Sequence, residues 1–103
     1  MKLGQSLELP MDDVVTALKV GAANSWPLEN RSKAMLIDKH PLGFKLELHH
    51  KDLSIAIDLA KSINIDLPIA SKVKEIEYRL MQAGLGELDV SVLHRYISAE
   101  NNR

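Results

Sequence analysis

The longest apolar helical pattern of the chain lies at residues 44–65, where the sequence reads FKLELHHKDLSIAIDLAKSINI. Projected at about 100° per residue, its apolar side chains cover an arc of roughly 200°, which is wider than the stripe of a surface helix. The residues on this arc are Leu53, Ile55, Ala56, Ile57, Leu59, Ala60 and Ile63. The pattern predicts a short helical turn at residues 45–49 and a main helix at about residues 50–63 that is covered from more than one side.

A carboxylate, Asp52, projects into this apolar arc between the directions of Leu59 and Ile63. One interpretation is structural: in the first turn its charge would favour the positive helix end and its oxygens would cap free N–H groups, worth about 0.3–1 kcal/mol. The other is functional: Lys51 and Asp52 would stand together at a helix start and face a cleft. The spacing leaves both interpretations open.

The composition is that of one globular domain with an aliphatic core. The chain has 103 residues, of which 46% are hydrophobic, 26% charged and 4% aromatic, as is ordinary for a globular protein. Because it has no cysteine, it forms neither disulfides nor thiolate metal sites. No apolar run approaches the ~18 residues of a membrane span, and the N-terminus lacks a signal-peptide pattern. We therefore expect a soluble, cytoplasmic protein with no membrane partner.

The net charge of −1 argues against a general nucleic-acid-binding role. The charge is unevenly distributed, because residues 31–51 carry five cations and two acids. The cations are Arg31, Lys33, Lys39, Lys45 and Lys51, and the acids are Asp38 and Glu47. This local excess indicates either a site for one anionic ligand near the central helix or a solvated basic face.

Helix signals recur along the rest of the chain. Leu3 and Leu7 have helical spacing without a preceding cap residue, so residues 1–10 are expected to be the tail of a longer helix from a larger protein. Further helices are predicted at about residues 12–20, 26–37, 66–83 and 89–97. Residues 99–103 should fray, and no segment alternates as a strand would. The predicted fold class is all-α, with five to six helices over residues 11–98.

The polar residues give little sign of a metal or nucleophilic centre. His49 and His50 are adjacent, hence about 100° apart on a helix, and do not face one ion as an i,i+4 pair would. No serine lies in a nucleophile-elbow motif. Gly84 and Gly86 resemble part of a phosphate loop, but they follow a helix, and Asp89 stands where a third glycine would be. We expect no metal site in this chain.

Four segments, in order, resemble the C-terminal domain of the β-hydroxyacid dehydrogenases. They are GAANSWPLENR at residues 21–31, GF at 43–44, KDLSIAIDLAKSINIDLPIASKV at 51–73 and GLGELDVSVL at 84–93. The family includes 3-hydroxyisobutyrate dehydrogenase, tartronate semialdehyde reductase and the glyoxylate/succinic semialdehyde reductases. The resemblance runs from about Met11 to Ile97. It departs from the family pattern at Asn24, where glycine is common, and at the pair His49 and His50.

This resemblance implies an all-α domain like the C-terminal domain of 6-phosphogluconate dehydrogenase-like enzymes, which closes an active-site cleft and forms much of a homodimer interface. An N-terminal Rossmann domain with a glycine-rich fingerprint, and an interdomain helix with the general acid/base lysine, would lie upstream. Such enzymes use NAD or NADP, bound mainly by the N-terminal domain, to reduce a small aldehyde or oxidise a hydroxy acid. The chain alone would hold no catalytic residue and would be inactive.

Three site residues follow from the same resemblance. Lys51, in the KDL motif, would contact the cofactor, where a flexible ammonium suits a phosphate or the nicotinamide ribose. Phe44 would line the cleft near the nicotinamide, and Asp52 would bind substrate by orienting neighbouring groups. The alternative, from another class of function, is a free-standing helical module that recruits a partner protein through exposed apolar surface.

Overall fold

Six α-helices and one short 3-10 helix make up the fold, as a computed structural model describes it for the backbone of residues 1–101 and the side chains of residues 1–98. The helices are α1 (Lys2–Ser6), α2 (Met11–Lys19), α3 (Trp26–Ile37), α4 (Leu46–Ser62), α5 (Pro68–Gln82) and α6 (His94–Asn101), and the 3-10 helix (Val90–Leu93) leads directly into α6. No strand is formed in this part of the chain. The predicted all-α class is confirmed. Helix α6 continues to Asn101, into the predicted frayed tail at residues 99–103, whose last two residues lie outside the described residues; fraying itself stays a prediction.

Local signals explain where most of these helices begin and end. Ser25 caps α3, because its Oγ accepts a hydrogen bond from the Leu28 N–H at 3.2 Å, and Pro27 follows in the first turn, where a missing N–H costs nothing. Helix α3 ends at Asp38, which adopts a left-handed conformation with φ 51°. Gly84 takes a φ of +86° just after α5, as a helix C-terminus favours.

The start of α4 was predicted wrongly. One continuous helix begins at Leu46, with no separate turn before residue 50. The Leu46 N–H donates to the Leu88 carbonyl at 2.8 Å, and the Glu47 N–H donates to the Gly86 carbonyl at 3.0 Å. Carbonyl groups of the loop after α5 therefore accept from free N–H groups at the start of α4. No sequence signal near residue 46 indicates these hydrogen bonds. Lys51 and Asp52 consequently lie in the second turn of α4. The interpretation of Asp52 as a first-turn cap and the placement of Lys51 and Asp52 at a helix start are therefore both wrong.

The core lies where α4, α5 and the 3-10 helix meet. Leu46 and Val92 are fully buried there, and Leu80 is almost so. Partly buried side chains complete this cluster, among them Ile76, Met81, Leu85, Leu88, Val90, Leu93 and Tyr96. Because these residues are aliphatic with one exception, the predicted aliphatic core is confirmed.

Only one side of α4 is covered by the described residues. Ile57 and Ala60 are buried, whereas Ile55, Leu59 and Ile63 are 58%, 66% and 60% exposed. The apolar arc predicted from the sequence therefore splits into an inner half, which packs on α5, and an outer half that faces away. A helix that is apolar over such a wide arc is normally covered on more than one side.

Membrane insertion through these helices is not indicated. Within residues 1–101, none of the helices combines the length and the apolar character that crossing a bilayer demands.

Candidate functional site

Asp89 joins three segments of the fold through its buried carboxylate. Its Oδ1 accepts hydrogen bonds from the N–H groups of Gly43 and Phe44, at 3.0 and 2.9 Å. Its Oδ2 accepts from the Ser91 N–H at 3.1 Å and from the Arg31 Nε at 3.0 Å. Asp89 therefore caps the 3-10 helix at Ser91, and the same side chain also fixes the turn that leads into α4.

Asp89 is ionised at neutral pH. Its burial by itself would raise the pKa, but the hydrogen bonds from the backbone N–H groups of Phe44, Ser91 and Gly43 outweigh burial and hold the pKa of Asp89 far below its usual range. The carboxylate is fully buried, so its charge is balanced by these donors and by Arg31 rather than by solvent.

Gly43 lets Arg31 approach this carboxylate. A Cβ built at Gly43 would collide with Arg31 Nη2, so a side chain there would displace the guanidinium. The guanidinium also lies 4.7 Å from the centre of the Trp26 ring, a cation–π distance. Two features thus fix the GF pair at residues 43–44. Gly43 leaves room for Arg31, and the N–H groups of both residues donate to Asp89.

Phe44 lies at the end of this turn and is 39% exposed as a residue. Its carbonyl accepts a hydrogen bond from the Val90 N–H at 2.8 Å, and its ring meets the His49 ring edge-on, with centroids 6.2 Å apart. The backbone of Phe44 is therefore rigidly placed on both sides while its ring faces outward.

Lys51 and Asp52 lie on the exposed side of α4. Among the described residues, the side chain of neither makes a hydrogen bond or an ion pair, with each other, with Phe44 or with any other residue. Adjacent helical positions point about 100° apart, which explains why the two side chains do not pair. The structure thus does not gather the three predicted residues into one closed site within this chain.

The surroundings of Lys51 and Asp52 are apolar. We call the exposed side of α4 the outer face; its apolar members are Leu48, Ile55, Leu59 and Ile63. Asp52 points between Leu59 and Ile63, as the sequence predicted, and Lys51 flanks Ile55. Two charged side chains without a partner among the described residues therefore lie on the same exposed side of α4 as four apolar residues.

His49 and Glu77 form a pair that was not predicted. Glu77 is fully buried, and its Oε2 lies 2.7 Å from His49 Nδ1, while its Oε1 has no hydrogen-bond partner in the described part of the chain. The spacing did contain a signal, because Glu77 stands four residues after Val73 and three before Leu80, on the inner stripe of α5. His49 in turn contacts the Phe44 ring edge-on, so the pair links Phe44 to the buried Glu77.

Two open cavities lie beside Arg31. One, of about 270 Å³, is mostly apolar and is lined by Trp26, Pro27, Arg31, Met35, His49, Val90, Ser91 and Leu93. The other, of about 330 Å³, is bordered by Arg31, Lys33 and Lys39. Three of the five cations that make residues 31–51 basic therefore surround one groove, while Lys51 lies on the outer face of α4.

Comparison with known proteins places this arrangement among dehydrogenases. Residues 1–97 match the family model described as "NAD-binding of NADP-dependent 3-hydroxyisobutyrate dehydrogenase". The 3-sulfolactaldehyde reductase of Escherichia coli is 32% identical over 97 residues, which cover 88% of this chain and 31% of the reductase. The L-threonate dehydrogenase of Pectobacterium atrosepticum is 29% identical over 93 residues, covering 90% of this chain and 31% of that enzyme.

A solved structure shares the fold. The crystal structure of 3-hydroxyisobutyrate dehydrogenase from Salmonella typhimurium superposes with a TM-score of 0.80 at 27% sequence identity, over 90% of this chain and 33% of that one. The chain thus spans about a third of the length of the relatives that it matches.

Proposed function

Because this chain belongs to the family of the NAD-binding domain of NADP-dependent 3-hydroxyisobutyrate dehydrogenase, we propose that it is the helical C-terminal domain of an NAD(P)-dependent hydroxyacid dehydrogenase or small-aldehyde reductase. The family match over residues 1–97 is the observation that carries this proposal. The remaining two thirds of such an enzyme would include the Rossmann domain and the catalytic lysine, so the chain alone is inactive.

Lys51, on the outer face, and Phe44, just before the start of α4, fit a nucleotide cofactor. Lys51 offers an ammonium with no partner among the described residues, and a flexible ammonium binds a phosphate or ribose hydroxyl as a point charge. Phe44 offers an outward-facing ring on a rigid backbone, suited to pack beside a nicotinamide. When bound, NAD or NADP supplies hydride transfer; Lys51 and Phe44 hold the cofactor in position and exclude water.

Asp52 is assigned to the substrate. An ionised carboxylate only accepts hydrogen bonds, so Asp52 binds the hydroxyl of a small hydroxy acid or orients a donor next to it. Its neighbours Leu59 and Ile63 keep water away once the outer face is covered. Removing water strengthens such a hydrogen bond, because the local dielectric constant falls.

The outer face also defines the proposed partners. Ile55, Leu59 and Ile63 are too exposed for a stable monomeric surface, so we assign this face to the Rossmann domain of the same chain and to a second subunit in a homodimer. The absence of cysteine agrees with a cytoplasmic location. A free-standing interaction module would also use an apolar face, but the family match disfavours it.

The test is steady-state kinetics of the full-length protein with Lys51→Ala. Loss of one charge-assisted hydrogen bond to the cofactor is worth ~1.5–3 kcal/mol, so KM for the cofactor should rise about 10- to 100-fold. Lys61→Ala is the matched control, because Lys61 is an exposed lysine of the same helix without a partner in the described part of the chain. An unchanged cofactor KM and kcat in Lys51→Ala would defeat the assignment of this lysine.

Two further observations separate the enzyme from the interaction module. The coding sequence upstream of this chain should contain a strand followed by GxGxxG, the dinucleotide-binding fingerprint. Asp52→Asn in the full-length enzyme should raise KM for the substrate and leave KM for the cofactor unchanged. An upstream sequence without the fingerprint would favour the interaction module.

A further inference from the structure

A second polar cluster lies where the end of α3 meets the start of α6, and we call it the 38/40/94 cluster. Its members are Asp38, His40 and His94, whose ligand atoms all lie within 4.8 Å of one another. His40 Nε2 is 2.9 Å from Asp38 Oδ1, and His94 Nε2 is 3.5 Å from the same oxygen. Both imidazoles therefore direct the same ring nitrogen at one carboxylate oxygen.

Ser91 orients both imidazole rings through contacts to their Nδ1 atoms. Its Oγ lies 2.7 Å from His40 Nδ1, and its carbonyl oxygen lies 3.4 Å from His94 Nδ1. Ser91 is itself buried, so these two positions are fixed by the core. A histidine that binds a metal through one ring nitrogen commonly has its other nitrogen held by a carbonyl or hydroxyl in this way.

The tautomer of His94 leaves a lone pair opposite the carboxylate. A carbonyl oxygen can only accept a hydrogen bond, so His94 Nδ1 carries the proton, and Nε2 of the neutral ring is an acceptor. Asp38 Oδ1 is an acceptor as well, because it accepts from Arg95 Nε at 2.8 Å and lies 2.9 Å from His40 Nε2. Two acceptors, His94 Nε2 and Asp38 Oδ1, consequently face each other without a proton between them.

We propose that the 38/40/94 cluster binds one Zn²⁺ ion through His40 Nε2, His94 Nε2 and an Asp38 carboxylate oxygen. Zn²⁺ binds imidazole nitrogen and carboxylate oxygen at about 2.0–2.2 Å, which places tetrahedral ligand atoms roughly 3.4 Å apart. The observed separations of 2.9 and 3.5 Å bracket this value. Two imidazoles and one carboxylate suit Zn²⁺ in donor type, and water would complete the coordination.

Metal binding requires one proton to move at His40. In the metal-free cluster the His40 Nε2–H donates to Asp38, and Nδ1 accepts from the Ser91 hydroxyl. On binding, the proton passes through solvent from Nε2 to Nδ1, and Nε2 donates its lone pair to Zn²⁺. The Ser91 hydroxyl, which can donate or accept, then accepts from Nδ1, so the number of protons on the ring is unchanged.

Arg95 competes with the metal for Asp38. Its Nε lies 2.8 Å from Asp38 Oδ1, so the guanidinium must swing away, or Asp38 must bind the ion with Oδ2. Both movements are open, because the Asp38 side chain is 54% exposed and that of Arg95 is 33% exposed. We therefore expect micromolar rather than tighter affinity, and we expect Arg95 to set it.

The sequence does not reveal this site, because His94 lies more than fifty residues after Asp38 and His40 and only tertiary structure brings it to them. Its role is structural: the ion would cross-link the turn after α3 to the start of α6 and stabilise the folded state by mass action. The metal site does not depend on the proposed dehydrogenase function, since none of its ligands lies on the outer face of α4.

The test is calorimetric titration of Zn²⁺ into the untagged full-length protein after removal of metal with a chelator, with Co²⁺ absorption as a second probe. One Zn²⁺ should bind per chain, and His40→Gln and His94→Gln should each abolish binding. His50→Gln is the matched control and should bind as the parent does, because His50 lies outside the cluster. Absence of binding up to millimolar Zn²⁺, or binding unchanged by both glutamine variants, overturns the proposal.

Two further variants test the proposal even if a histidine variant fails to fold. Arg95→Gln removes the competing cation and should tighten Zn²⁺ binding about fivefold, the limit for a partly exposed ion pair, and misfolding does not raise affinity. Ser91→Ala releases one ring nitrogen and should weaken binding about tenfold. A folded Arg95→Gln protein that binds Zn²⁺ no tighter than the parent overturns the proposal.

Discussion

Replacing Asp89 by asparagine tests the central polar contact of this fold. The amide oxygen of Asp89→Asn can still accept from the N–H groups of Gly43 and Phe44, but its NH₂ group faces two donors, the Ser91 N–H and the Arg31 Nε. Two hydrogen bonds to a charged group are therefore lost, at ~1.5–3 kcal/mol each. Relaxation of the partly exposed Arg31 reduces the sum, so we expect a loss of about 3–4 kcal/mol in the free energy of unfolding.

Urea unfolding followed by far-UV circular dichroism measures this loss. Asp58→Asn is the matched control: Asp58 is an exposed acid of α4 with no partner among the described residues, and its replacement should change the free energy of unfolding by less than about 0.5 kcal/mol. If Asp89→Asn were as stable as Asp58→Asn, the four hydrogen bonds of Asp89 would not carry the turn at residues 43–44, and the reasoning would be refuted.

The pH dependence gives a second readout of Asp89. Its pKa is lower in the folded than in the unfolded chain, so the unfolded chain takes up the proton first as the pH falls. The stability that Asp89 contributes is complete above its unfolded pKa of about 3.9 and is lost as the pH falls below it towards the lowered folded pKa. Asp89→Asn should therefore lose less stability than the parent between neutral and strongly acidic pH.

Other substitutions separate the core from the outer face and test the close approach at the GF turn. In this chain on its own, Leu46→Ala should lower the free energy of unfolding by about 2–5 kcal/mol, because Leu46 is fully buried. Leu59→Ala should change it by less than about 0.5 kcal/mol, because Leu59 is exposed there. Equal effects in urea unfolding of the chain would contradict the assignment of the core. Gly43→Ala should cost about 1–3 kcal/mol by forcing Arg31 aside. The control is Gly21→Ala, because a Cβ at residue 21 meets one backbone oxygen at an ordinary distance. If the Gly43→Ala protein kept native hydrogen-exchange protection at residues 43–44, the predicted clash would be refuted.

Much of the fold could be read from local signals. The helices predicted at about residues 26–37 and 66–83 agree with α3 and α5 to within two residues at each end. The prediction was wrong at the start of α4, where the capping carbonyls belong to a loop about forty residues away. In the candidate site, too, the sequence predicted what a local motif indicates. Lys51 came from a recognisable motif, and its role stays a prediction.

The sequence by itself determined the all-α class, the positions of most helices and the family, because helix periodicity, capping and short motifs act between residues a few positions apart. Tertiary structure alone decided which half of the α4 apolar arc is buried, and it brought Asp89 to Arg31 and His49 to Glu77. The physical reason is that periodicity fixes the direction of a side chain around its own helix axis, whereas burial and hydrogen bonding depend on which distant segment occupies that direction.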